Sequence, residues 1–214
     1  NIKFSSKLLG GSIVAQGALA GSTLDGAVDV SVKQLNLAQT NSFIQTYMRG
    51  ALAGTLGSSL KVNINKGTPS IAGQVTLNDF SIKQGREQPF TLKALQTNIE
   101  SISFVQKKAL IKEVKLIQPA LQLTQYRNGL NFNLLFLPLL ATSASATATN
   151  APGTKEKAEK ETQDIVWHWA IKDVLVSSGS LRYTDQTTRP NIVMNITPVQ
   201  LSVKNLDSQA KAQA

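Results

Sequence analysis

Apolar residues recur at every second position along most of this chain, and that alternation restricts the fold more than any other feature. Val28, Val30 and Val32 alternate with Asp29, Ser31 and Lys33, and Leu60, Val62 and Ile64 alternate with Lys61, Asn63 and Asn65. Ile71, Val75 and Leu77 repeat the pattern with Gly73 as a gap, followed later by Leu121 with Leu123, Leu181 with Tyr183, and Leu201 with Val203. Successive side chains of an extended strand point to opposite faces, so each run makes a strand with one greasy and one wet face. Turn chemistry at Gly21-Ser22, Asn65-Lys66-Gly67, Gln84-Gly85, Asn128-Gly129 and Ser178-Gly179-Ser180 separates the runs at hairpin spacing. The expectation is a mainly β protein, an antiparallel meander of about thirteen short strands joined by hairpins.

Three stretches depart from the alternation. Within residues 40–49, Phe43, Ile44, Tyr47 and Met48 share one helical face, with Thr40 or Asn41 as N-cap and Gly50 as a stop. Asn133–Leu140 is a dense apolar run broken by Pro138, expected as a short helix or plug against the sheet edge. Residues 141–163 are low-complexity and then charged, Lys155, Lys157 and Lys160 balancing Glu156, Glu159 and Glu161. They read as a solvated tether with an r.m.s. reach of about 25–30 Å, able to join distant strands without a domain boundary. From Asp164 the strand pattern returns, as a hairpin over residues 167–190 and a further strand pair after it. The organisation expected is β-strands with a short helix over 1–140, a flexible insertion over 141–163, and more of the same sheet over 164–214.

The residue inventory excludes several classes of function. There is no cysteine, hence no disulfide or thiolate metal site, and the single histidine, His168, leaves no two-histidine metal motif. His168 lies between Trp167 and Trp169 in an expected strand and reads as a rim or face residue. No nucleotide-binding loop, nucleophile elbow or supported carboxylate pair is present, and Asp185 reads as a turn cap; the chain is expected to be no enzyme and to need no cofactor or metal. The net charge of +9 favours anionic partners, but the basic residues are scattered and not interleaved with stacking aromatics, so nucleic acid is not expected as a partner. No run reaches the roughly 18 apolar residues that span a bilayer, the first residues lack the apolar core of a signal peptide, and the chain reads as an excised piece of a longer protein.

Ile111–Asn133 resembles a signature of the AsmA-like superfamily of bacterial envelope proteins: a strand closing at Gln118-Pro119, Leu121 and Leu123 on the next, then Asn128-Gly129 and Asn131. Trp169–Asp185 resembles a second one through Trp169, Ile171, Val174, Gly179, Leu181, Tyr183 and Asp185. Val28–Ile64 is similar to the strand, short helix and Gly-led strand pair of the large family members. The resemblance covers most of the chain outside residues 141–163. It implies a repeating β-groove, a curved antiparallel sheet open along one side with an aliphatic interior. It also implies phospholipid as cargo, neighbouring β-groove repeats as partners, and a place in the periplasm of a diderm bacterium between inner and outer membranes. The full-length protein would be anchored in the inner membrane. No N-terminal membrane helix or terminal docking module is recognisable, so only the conduit part carries over.

The residues expected to line the groove are Val28, Val30, Val32, Val62, Ile64, Ile71, Val75, Leu77, Leu121, Leu123, Ile171, Val174, Leu181, Tyr183, Leu201 and Val203. Periodicity alone is equally compatible with the core of a closed β-sandwich, because an apolar sheet face must be covered by something. The resemblance favours the groove. A structural or interaction module of envelope assembly, pairing through exposed sheet edges and carrying no lipid, is the alternative.

Overall fold

The computed structural model describes residues 1–21, 25–135 and 167–209. Its strands are β1 (Ile2–Leu8), β2 (Gly11–Leu19), β3 (Gly26–Asn36), β4 (Ala51–Asn65), β5 (Thr68–Gln84), β6 (Glu87–Ser103), β7 (Lys108–Tyr126), β8 (Gly129–Leu130), β9 (His168–Asp185) and β10 (Ile192–Asp207). They form one open ten-stranded sheet in chain order, with the two-residue β8 paired to the end of β7. Neighbours are antiparallel except β7 and β9, which run parallel. Residues from both sides of the 141–163 stretch therefore enter the same sheet; the mainly β content follows from the alternation, and the sheet is open.

Several expected turns lie inside strands. The strands are fewer and longer than the sequence suggested, up to the 19 residues of β7. Gln118-Pro119 does not end a strand, Ser178-Gly179-Ser180 is not a hairpin, and residues 192–207 form one strand instead of two. The expected antiparallel meander is broken as well, since β7 and β9 pair in parallel and a parallel pair requires a crossover connection. The turns at Asn65-Lys66-Gly67 and Gln84-Gly85 do join β4 to β5 and β5 to β6.

The misread residues are inserted into strands at matching levels. Along β5, Leu77 and Phe80 pair through to Leu95 and Leu92 of β6, which pair to Leu116 and Pro119 of β7. The apolar spacing is three at this level instead of two. One additional polar residue stands between each pair: Asp79, Lys93 and Gln118, with Ser178 beside Gln118 in β9. Asp79, Gln118 and Ser178 have φ of 48°, 50° and 53°, and Gly54 of β4 faces the same level with φ 127°. The left-handed turn restores the apolar face beyond it: a Cβ on Gly179 would meet Pro119 Cγ, Val176 Cγ1 and Val199 Cβ, each at 3.3 Å. A second such line follows from Ile99 to Ile102, Ile111 to Val114, Ile171 to Val174 and Val203 to Leu206, enclosing Glu100, Lys112, Lys172 and Asn205. Bulges bend a strand and raise its twist, so these two lines of polar insertions are the places where the sheet changes direction. They also accommodate Pro119, which has no N–H to give a central strand.

Helical structure is slight. Asn36 caps a 3-10 turn, Leu37–Thr40, by accepting the Ala38 N–H at 2.9 Å, and α1 spans only Asn41–Ile44. Thr40 makes no side-chain cap, and Asn41 instead bonds Leu52 twice, its Nδ2 donating to the carbonyl at 3.0 Å and its Oδ1 accepting the N–H at 2.7 Å. Of the expected helical face, Phe43 and Tyr47 are exposed and Met48 is buried. The apolar run contributes α2, Asn131–Leu135, whose Leu135 is fully buried; residues 136–140, like the 141–163 stretch, lie outside the described residues. Met48, Leu92 and Leu135 are the buried hydrophobic residues among those described; Met48 and Leu135 meet at Gly50, where an added Cβ would lie 3.0 and 3.1 Å from them. Among the described residues no helix is long and apolar enough to cross a membrane.

Candidate functional site

Directly opposed residues share a face of a sheet, so the register traces the apolar side chains across the strands. One row runs Phe4, Ala15, Val30, Leu60, Gly73, Ile99, Ile111, Ile171 and Leu206. The next runs Ile13, Val32, Ser58, Val75, Thr97, Val114, Val174 and Val203, and beyond it Leu35, Leu56, Leu77, Leu95, Leu116, Val176 and Leu201. Val28, Val62 and Ile71 lead to Ile102, Ala109 and Trp169, while Leu121 meets Leu181, Leu123 meets Tyr183 and Ile64 meets Pro69. Every residue expected to line a groove is therefore on one face. Ser58 and Thr97 are polar members of it.

Leu92 on this face is buried, but the rows traced above have no protein layer over them among the described residues. The expected lining residues are half-buried, none is fully buried, and Leu201 at the β10 edge is 51% exposed. A closed sandwich would have buried such residues fully. Sequence reading missed Ile13, Leu35, Leu56, Leu95, Leu116 and Val176. For Leu35, Leu95 and Leu116 the available signal was a three-residue apolar spacing, as in Val32 to Leu35 around Lys33 and Gln34.

The opposite face is polar and salt-bridged. Lys93 Nζ lies 2.6 Å from Asp79 and Lys172 Nζ lies 2.8 Å from Glu100, so each line of insertions carries an ion pair. The hydrogen bond and charge of Lys172, aided by Lys112, hold the Glu100 carboxyl below its usual range. Both pairs are well exposed, and such pairs contribute little to stability. A concavity of about 880 Å³ also lies on this polar side, across β1–β5, lined by Lys7, Ser12, Lys33, Thr55, Ser59 and Thr76 among others. A hollow thus lies on the wet face, while the apolar face is partly exposed along its rows among the described residues.

One end of the sheet is sealed by a single asparagine. The β6–β7 ladder stops at Phe90 and Leu121, next to Pro89, leaving backbone groups of β7 without a strand partner. Asn131 replaces that strand: its Nδ2 donates to the Gln122 carbonyl at 2.9 Å and its Oδ1 accepts the Thr124 N–H at 3.1 Å. Only 1% of Asn131 is exposed, and its Nδ2 also reaches Glu87 at 3.4 Å. The Glu87 carboxylate accepts a hydrogen bond from the Tyr126 hydroxyl, which with partial burial raises the phenol above its ordinary pKa. The Tyr126-to-Gly129 turn that precedes Asn131 places it there.

No group of three or more metal-ligating side chains occurs among the described residues. His168 Nε2 lies 3.0 Å from Asp207, whose carboxyl is held low by the Gln209 N–H and then by His168. Asp185 accepts the N–H and hydroxyl of Thr187 at 2.8 and 2.6 Å, which lowers its pKa and makes it a turn cap. Comparison with protein-family models, with curated proteins and with solved structures gives no match to this chain.

Proposed function

We propose that this chain is a segment of a bridge-like lipid transport protein of the AsmA-like kind, which carries phospholipid acyl chains along its apolar sheet face through the periplasm, between inner and outer membranes. The observation that carries the proposal is the continuous aliphatic face without a covering protein layer among the described residues. Nine strands lie side by side along the main path of the sheet. At about 4.8 Å per strand, the rows run for about 38 Å, against about 15 Å of hydrocarbon per bilayer leaflet. An acyl chain therefore fits along a row without leaving it.

Removing a methylene from water is worth about 0.8 kcal/mol, so a 16-carbon chain gains about 12 kcal/mol at most when fully covered. Against the bilayer interior, which is equally apolar, the transfer is close to neutral, and near-neutrality is what a conduit needs. No catalytic step is part of the proposal. The test is mass spectrometry of lipid co-purifying with the chain after expression in a diderm bacterium. Phospholipid bound to the native chain and lost from a folded Leu123→Asp variant supports the proposal; a native chain free of lipid overturns it.

A second reading rests on the outermost strands. Every residue of β1 is exposed, and β10 offers a 16-residue strand with one unpaired edge. Unpaired edges recruit further strands. In this reading the segment is an interaction module in envelope assembly that adds to neighbouring β-groove repeats and carries no lipid.

A further inference from the structure

At the end of the sheet away from the helices, an aromatic cluster projects past the strand ends. The β6–β7 hairpin presents Phe104 and Val105, 47% and 66% exposed, and the start of β9 brings Trp167 and Trp169, 36% and 42% exposed, against it. Phe104 and Trp167 pack edge to face with centroids 5.8 Å apart, and Lys107 Nζ sits 5.6 Å from the Trp167 ring centroid. The His168 N–H donates to the Lys107 carbonyl at 2.8 Å, locking hairpin and strand together. Lys108 follows Lys107, and Lys66 stands at the tip of the β4–β5 hairpin at the same end, since Ile71 pairs with Ile102. The nearby acids are engaged: Asp25 accepts the Lys66 N–H, and Asp207 accepts from His168 and Gln209.

We propose that this tip docks on the headgroup region of an anionic bilayer, Phe104, Val105 and the two tryptophans entering the interface and Lys66, Lys107 and Lys108 meeting lipid phosphates. Amphipathic aromatic rings beside lysines are the composition that settles at a membrane interface. The patch is too small for a stable protein partner. Its four side chains expose roughly 400 Å², taking 150–250 Å² for a whole aromatic side chain, whereas a stable interface needs about 800 Å² from each partner. Insertion into headgroups requires no matching surface. Trp169 also pairs with Ala109 in the row that leads back to Val62, so the tip is continuous with the apolar face. The inference goes beyond lipid carriage in making this segment itself a membrane contact.

Both tryptophans of the chain lie in the patch, so intrinsic emission reports on it alone. The experiment titrates the protein with vesicles of phosphatidylglycerol and phosphatidylethanolamine, with phosphatidylcholine vesicles as the control. The expected result is a blue shift on anionic vesicles, quenching by brominated acyl chains, weakening at higher salt, and at least a tenfold loss of binding in a Phe104→Ser/Val105→Asp variant with native circular dichroism. An unshifted spectrum on anionic vesicles overturns the proposal. A shift that grows with protein concentration without vesicles overturns it in favour of a second copy, and undiminished binding by the variant overturns it in favour of another surface. Co-purified lipid in the same variant is scored separately, so loss of docking and loss of acyl-chain carriage remain distinguishable.

Discussion

Replacing Asn131 with leucine keeps the branch at Cγ and removes the amide, and the lost hydrogen bonds set the size of the effect. Two β7 backbone groups lose their partners, the Gln122 carbonyl bonded at 2.9 Å and the Thr124 N–H bonded at 3.1 Å. Each buried group left unsatisfied costs about 1–3 kcal/mol. Gln122 is exposed at its side chain and Thr124 half-buried, so water reaches part of the gap, and the lower half of the range applies. The 3.4 Å contact with Glu87 adds little. A loss of about 2–4 kcal/mol follows, a large share of the roughly 5–15 kcal/mol that holds a domain folded. Urea denaturation with an unchanged slope measures it, and amide exchange locates it. The Thr124 amide should exchange much faster in the variant while amides of β4 change only with global stability. A change under about 0.5 kcal/mol with Thr124 still protected would show that the asparagine does not stand in for the missing strand.

Deleting Gln118 removes one polar insertion and leaves Leu116, Pro119, Leu121 and Leu123 at every second position, so a regular strand keeps them on the apolar face without the left-handed residue; the expected outcome is a soluble, somewhat less stable chain with native circular dichroism, and insoluble protein would count against the inserted-residue account. Lowering the pH should weaken the ends of β9 and β10. The pKa of Asp207 is depressed in the folded state, so its contribution is present above the ordinary aspartate value and is lost as pH falls through the lower folded one. Glu100, depressed by Lys172, acts with the same sign. Carboxyl carbon shifts followed by NMR should show both titrating below their values in the unfolded chain.

The alternating pattern made the strands legible because its cause is local: two faces, two environments, period two. It also placed Val28, Val62, Leu123 and the other residues expected to line a groove on a common face, as the register shows. What it concealed was the continuity of the strands. Gln118-Pro119 and Ser178-Gly179 carry turn-forming residues, and a left-handed residue inside a bulge has the same local chemistry as one in a hairpin. Only partners in neighbouring strands separate the two cases, and partners are non-local. The same limit hid the parallel β7–β9 pair, since no local signal states which strands meet. The helix expected over 40–49 shortened because Asn41 spends its side chain on Leu52 and Phe43 and Tyr47 find nothing to pack on. Asn131 could be noted in sequence after Asn128-Gly129, but its role depends on where Pro89 ends the β6 ladder.

The sharpest measurement of the proposed lipid face compares two adjacent positions on β4. A photo-activated benzophenone side chain is placed at Val62, on the aliphatic face, or at Lys61, on the polar one, in cells of a diderm bacterium. The account predicts phospholipid adducts from position 62 and none above background from position 61. Equal labelling from both, or adducts from position 62 to protein alone, would contradict it.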